Sequence, residues 1–232
     1  MRALILTSLT VDTRFGLYWQ YRAVNDKDAM QTKTDGLTLA GKVISKIANP
    51  CFLSTLMLAL MALTYSSDSG RIAEWIAALV VFLVLLPEVY VLIRARKEYP
   101  FIKLLTSPTA FLKQHPRDVL AIAVLCGLTG GICLFLLDAP PVLLYTYAAL
   151  LAGSVVIAAL NLYLRISYHL GAVTIIVIMA SLAWGPGALL LLLALPVIGW
   201  AKHRIKEHTL FQLIGGTGVA AIISTVALLL YR

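Results

Sequence analysis

Charge is scarce in this chain. Only 13% of its 232 residues are Asp, Glu, Lys or Arg, and the acidic ones number just 11. A soluble domain carries roughly 25% charged residues, so this surface is not built to face water. Cysteine is scarcer still, with three residues. Cys126 and Cys133 share one apolar segment and Cys51 sits in another. That distribution argues against a disulfide framework, matches no zinc spacing, and reads as small buried hydrophobes. Internal repeats and low-complexity runs are missing. So is a pair of Asp-rich motifs, which counts against metal-dependent prenyl transfer.

What fills the chain instead is apolar: 60% of residues, with a mean hydropathy of +0.90. That composition belongs to an integral membrane protein. Seven apolar segments are expected, at about 50–66, 71–94, 117–137, 140–163, 167–184, 186–201 and 210–231. Several fall short of the roughly 20 residues that cross hydrocarbon squarely. Gly185-Pro186-Gly187 divides the fifth from the sixth with turn chemistry. The expected fold is therefore all-α, a polytopic transmembrane helix bundle of about six to seven spans over residues 49–232. Residues 1–48 read as a cytoplasmic N-terminal tail followed by an amphipathic segment carrying Lys42 and Lys46. The start of the tail does not resemble a cleavable signal, because its apolar run from Ala3 to Leu9 is short and broken by Thr7-Ser8.

The net charge of +8 would suggest nucleic acid in a soluble protein. Here the basic residues lie in the tail and the loops. Seven crossings would gather 17 of the 19 Lys and Arg on one face, with Arg71 and Arg232 opposite. The positive-inside rule makes the basic face cytoplasmic. The expected partners are thus the bilayer and its anionic headgroups rather than nucleic acid, with self-association into a homo-oligomer left open.

The same topology collects Arg117, Arg165, Ser167, His169, Lys202 and His208 at one membrane surface. Ser167 falls where a helix N-cap would, and a helix N-terminus favours a phosphate. His208 opens the last span, with Gln212 one turn along the same face. Read for chemistry, His208 would take a phosphoryl group and His169 would protonate the departing oxygen. Arg165, Lys202 and Arg117 would hold the nonbridging oxygens. The plainer alternative is that these residues decorate a cytoplasmic rim. Glu88, inside the second span after Pro87, is either functional or the partner of a basic residue. Gly127-x-x-x-Gly131 and Gly215-Gly216-Thr217-Gly218 read as close helix packing rather than phosphate loops.

Arg165-Ile166-Ser167-Tyr168-His169 resembles the Lys-Ile-Ser-x-His form of the second motif of the type 2 phosphatidic acid phosphatase (PAP2) superfamily. The segment from Trp200 through Lys202, His208 and Gln212 to Gly215 is similar to its third motif: Arg, five residues, His, three residues, acid. Asn161, just before the second motif, also fits that branch. The resemblance covers roughly residues 110–230. Arg165 replaces the usual Lys, Lys202 the usual Arg, and Gln212 an Asp that would orient the nucleophile. Of the first motif, only Arg117 and Lys113 stand as plausible remnants.

The resemblance implies a metal-free, cofactor-free hydrolase of a lipid phosphate or diphosphate, such as a polyprenyl one, working through a phosphohistidine. Catalysis would rest on His208 and His169. Phosphate binding would fall to Arg165, Ser167, Lys202 and Arg117, with Gln212 orienting His208. The departures keep a second expectation open, a non-catalytic protein that binds or transports a lipid phosphate.

Overall fold

The computed structural model describes residues 36–96, 112, 115–164 and 166–231. The tail up to residue 35, most of the basic loop between the second and third apolar segments (including Lys113), and Arg165 lie outside the described residues. The chain divides into two units, residues 1–39 and 40–232. The second unit holds the helical bundle.

Every regular element among the described residues is helical. α1 (Gly36–Ile47) and α2 (Pro50–Tyr65) are bent by 48° at a short break. Asn49 makes the corner: its side chain accepts the Cys51 N–H at 3.0 Å, and Pro50 needs no donor at the first helical position. Lys42 and Lys46 are exposed on α1 together with Val43 and Ile47, the composition of a helix lying at a membrane interface.

The second apolar segment is one long helix, Ser69–Ala95. It comprises α3 (Ser69–Val80), a π-helical turn (Val81–Leu85) and α4 (Leu86–Ala95). Leu86 N–H reaches back five residues to the Val81 carbonyl. Pro87 follows at once and cannot donate, which is why the ladder loosens here. Glu88 is exposed in the first turn of α4.

α5 (Pro116–Leu136), α6 (Pro141–Leu160), α7 (Tyr168–Trp184), a 3₁₀ stretch (Pro186–Leu193) leading into α8 (Ala194–Arg204), and α9 (Leu210–Tyr231) complete the bundle. Among the described residues, five helices are long and apolar enough to cross a membrane, or six if the bent α1–α2 pair counts as one span. α7, at 17 residues, is the short one. Its length is not a defect, because it lies inside the bundle. Residues Leu170 to Val177, Met179 and Ala180 are all buried, and α7 meets α9, α6, α2 and α8. A helix apolar on every side belongs in a core.

Helices in lipid gain little from hydrophobicity against one another, so close packing of small residues must hold them. The α7–α9 crossing shows this at Gly216. A Cβ there would collide with the backbone carbonyl of Ser167 and stand 3.1–3.2 Å from that residue's C and N atoms. At Gly185, φ is +78°, which turns the chain from α7 into the 3₁₀ stretch and suits only glycine. Tyr147 Oη donates to the Gly127 carbonyl at 3.0 Å, tying α6 to α5.

These contacts sort the helix ends into two groups. Trp75 Nε1 donates to the Leu137 carbonyl, and Tyr65 Oη to the Leu182 and Ala183 carbonyls, at one end of the bundle. At the other end lie the close of α4, the start of α5, the close of α6, the starts of α7 and α9, and the close of α8.

Candidate functional site

The site at this second end begins with a main-chain bond. Ser167 N–H donates to the Gln212 carbonyl at 2.9 Å, so residues 45 positions apart are joined just as α7 and α9 start. Ile166 and Ser167 are both buried against α9, with Gly215 facing Ile166 and Gly216 facing Ser167. Ser167 is the α7 N-cap, with φ −76° and ψ 110°, and its Oγ accepts the Leu170 N–H at 3.4 Å. Tyr168 Oη donates to or accepts from Ser154 Oγ at 2.6 Å, fixing the first turn of α7 on α6. His169 follows in that turn, half-buried.

The α8–α9 turn builds the other wall. α8 ends in a Schellman arrangement: Lys206 N–H donates to the His203 carbonyl and Glu207 N–H to the Lys202 carbonyl, both at 3.0 Å. Lys206 takes the left-handed position with φ +56°, where glycine would be the usual residue. The reversal brings Glu207 back over Lys202. Their side chains meet at 2.7 Å, and the Lys202 side chain is only 3% exposed. The carboxylate sets an opposite charge against this buried side chain.

His208 comes next. Its Nδ1 lies 3.3 Å from Gln212 Oε1, and the same oxygen accepts the Thr209 backbone N–H at 3.1 Å. A backbone N–H can only donate, so the Gln212 atom it meets must be the carbonyl oxygen. In the neutral ring that oxygen can only be met by a protonated Nδ1, which puts the imidazole lone pair on Nε2. The fold thus selects the tautomer a nitrogen nucleophile needs. His203 Nδ1 stands 3.3 Å from the His208 carbonyl and buttresses the turn.

Arg117 is placed elsewhere at the same end. It lines a cavity of about 410 Å³ with Arg94, His115, Pro116, Asp118, Leu162 and Tyr163. His169, Lys202 and His208 are not in its lining among the described residues. Of the residues expected to act together, Ser167, Gln212 and His208 are brought together by direct bonds, and Lys202 joins them through the Glu207 turn. Arg165 lies outside the described residues. No three or more His, Cys, Asp or Glu among the described residues form a group fit to hold a metal ion.

No family model, curated protein or solved structure matches the chain.

Two features escape sequence reasoning. A spacing of five does not put Glu207 and Lys202 on one helix face; only the left-handed turn at Lys206 makes them meet. The Arg94–Asp118 pairing across α4 and α5, at 3.7 Å, has no sequence signal beyond the isolated charges themselves.

Proposed function

We propose that this chain is a membrane-embedded phosphatase of a lipid phosphate or diphosphate, acting through His208. One observation carries the reading. The Ser167–Gln212 main-chain bond joins the two segments that resemble phosphatase motifs, and the residue it brings in is the one whose carbonyl sets the His208 tautomer.

In this reading the Nε2 lone pair of His208 attacks phosphorus in line with the ester oxygen. The P–O bond breaks, and His169 gives its proton to the departing lipid alcohol. His169, now neutral, takes a proton from water as that water attacks the phosphohistidine. The N–P bond breaks, the electron pair returns to Nε2, and inorganic phosphate leaves. The start of α7 and the Lys202 ammonium offset charge on the nonbridging oxygens, joined by Arg165 from the adjoining position in the chain. The positive-inside bias supports a cytoplasmic site and an inner-leaflet substrate.

The test is phosphate release from polyprenyl and diacylglycerol phosphates in detergent, with acid-quenched trapping of phosphohistidine. Wild type should turn over and trap label. His208→Ala should do neither, and His169→Ala should trap label but clear it slowly. Equal phosphate release by wild type and His208→Ala would sink the proposal. For sidedness, a Cys replacing Lys206 in a chain without native cysteines should resist an impermeant reagent in intact cells, whereas one replacing Ser69 should label.

A second reading, binding or transport of a lipid phosphate without hydrolysis, is favoured by two features. Lys202 is already matched by Glu207, and Gln212 adds no charge to stabilise an imidazolium. Saturable headgroup binding with no turnover and no trapped label would select it.

A further inference from the structure

The cavity at the meeting of α4, α5 and the α6–α7 junction holds chemistry that the His208 reading does not use. Asp118 forms its floor, with a side chain 14% exposed. Tyr90 Oη donates to Asp118 Oδ1 at 2.9 Å, which anchors the carboxylate from within the bundle. Around it stand cations at the rim. The Arg94 side chain is 64% exposed and meets Oδ1 through Nε at 3.7 Å, and His115 Nδ1 lies 3.9 Å from Oδ2. Both distances exceed hydrogen-bond length. They are charge contacts that an incoming anion can supplement. Arg117 is exposed and lines the same space.

Among the described residues, two guanidiniums against one carboxylate give the cavity lining a net positive charge. Arginine presents planar pairs of donors that suit phosphate oxygens. The volume, about 410 Å³, falls within the roughly 300–1,000 Å³ of small-ligand pockets and suits a headgroup. The wall on the α6–α7 side ends in Tyr163, 85% exposed, followed by Leu164, 56% exposed. An exposed aromatic and aliphatic pair at a helix end is what a bilayer interface covers. A ligand here has its anionic group between the arginines and an apolar part beside Tyr163.

We propose that this cavity is a second phosphate-binding site, separate from His208, that takes the headgroup of an anionic phospholipid. Arg94 and Arg117 clamp the phosphate, with His115 beside them and the Asp118 carboxylate opposing the bound anion. Tyr163 is four residues from Ser167, so at most about 14 Å of extended chain separates the two sites. The proposal does not depend on hydrolysis, and it stands or falls separately from the His208 reading.

The experiment uses the full chain with His208→Ala, so that turnover cannot deplete the ligand. Binding of short-chain phosphatidic acid, short-chain phosphatidylcholine and inorganic phosphate is measured in detergent by microscale thermophoresis. Phosphatidic acid should bind saturably and phosphatidylcholine far more weakly. Arg94→Gln and Arg117→Gln should each weaken phosphatidic acid binding about tenfold, the scale of one charge-assisted hydrogen bond. Asp118→Asn should tighten it severalfold, because it removes the only carboxylate lining the cavity among the described residues. Arg94→Lys, which keeps the charge but not the planar pair of donors, should fall between wild type and Arg94→Gln, and Arg71→Gln at the opposite end should change nothing. Inorganic phosphate that competes weakly supports the lipid as the source; phosphate that binds as tightly as the lipid assigns the cavity to free phosphate instead. Equal binding of phosphatidylcholine, or loss of affinity in Asp118→Asn to match Arg94→Gln, overturns the proposal. The opposite signs expected of those two variants separate binding from a folding defect.

Discussion

Replacing Gly216 by alanine is the sharpest perturbation of the α7–α9 crossing. The added methyl would collide with the Ser167 carbonyl, with the C and N atoms of that residue 3.1 and 3.2 Å away. All three are main-chain atoms, so no rotamer change can relieve the contact. α9 must move off the Ser167 segment, and the Ser167 N–H to Gln212 carbonyl bond of 2.9 Å lies directly in its path. Overpacking costs about 1–3 kcal/mol, and a buried N–H losing its acceptor costs about 1–3 kcal/mol more. The better helix propensity of alanine returns up to about 1 kcal/mol. The net expectation is a loss of about 1–6 kcal/mol, together with a displaced His208–Gln212 pair. Two neighbours calibrate the effect. Gly218 has nothing within 4 Å, so Gly218→Ala should be neutral or slightly stabilising. Gly215 faces the Cγ2 methyl of Ile166 at 3.1 Å, a side-chain rather than a main-chain contact, so Gly215→Ala should fall between. Thermal and denaturant unfolding in detergent, run beside phosphate release, measures the series. If Gly216→Ala matches Gly218→Ala in both stability and activity, the close approach of α9 to Ser167 is not what holds the two segments together.

Gln212→Glu keeps the length that meets His208 and adds a carboxylate beside the imidazolium of the proposed transition state. Single-turnover phosphate release should rise about tenfold, the rate equivalent of about 1.4 kcal/mol, and a slower variant would contradict the assigned role. Glu207→Gln withdraws the carboxylate from Lys202, which is 2% exposed. The loss should approach the roughly 3–5 kcal/mol of a broken buried pair. A Lys202→Met/Glu207→Gln double-mutant cycle in detergent unfolding should show coupling of more than about 1 kcal/mol, and strict additivity would refute the pairing. Lys206→Gly relieves a residue held at φ +56°. It should raise unfolding stability by about 1 kcal/mol, and a decrease would show that this turn is not left-handed in solution.

Much of this fold is legible in the sequence because lipid is an undemanding reader. A helix is the only single-segment way to satisfy a backbone in hydrocarbon, so a long apolar run names an element and its polar interruptions name the ends. Pro116, Pro141 and Pro186 mark the starts of helical elements, Asn49 and Ser167 cap α2 and α7, and Gly185 ends α7, all where local chemistry requires them. The character of each segment is less legible. Residues 188–193 are as apolar as any span, yet the stretch winds as a 3₁₀ helix before α8 begins. The 17 residues of α7 read as too short for lipid because sequence does not say which helix the others surround.

The site divides the same way. Local sequence determined the polar clusters themselves, the N-cap at Ser167 and the one-turn spacing of His208 and Gln212, since each depends on neighbours within four residues. Tertiary structure alone decided that Ser167 meets Gln212, that a left-handed turn carries Glu207 onto Lys202, and that Arg117 faces Arg94 and Asp118 rather than the Ser167 segment. Those outcomes depend on how closely α9 approaches α7 and on where α4 ends against α5. Such distances are set by the packing of small residues across helices, and a linear pattern of hydropathy and charge does not contain them.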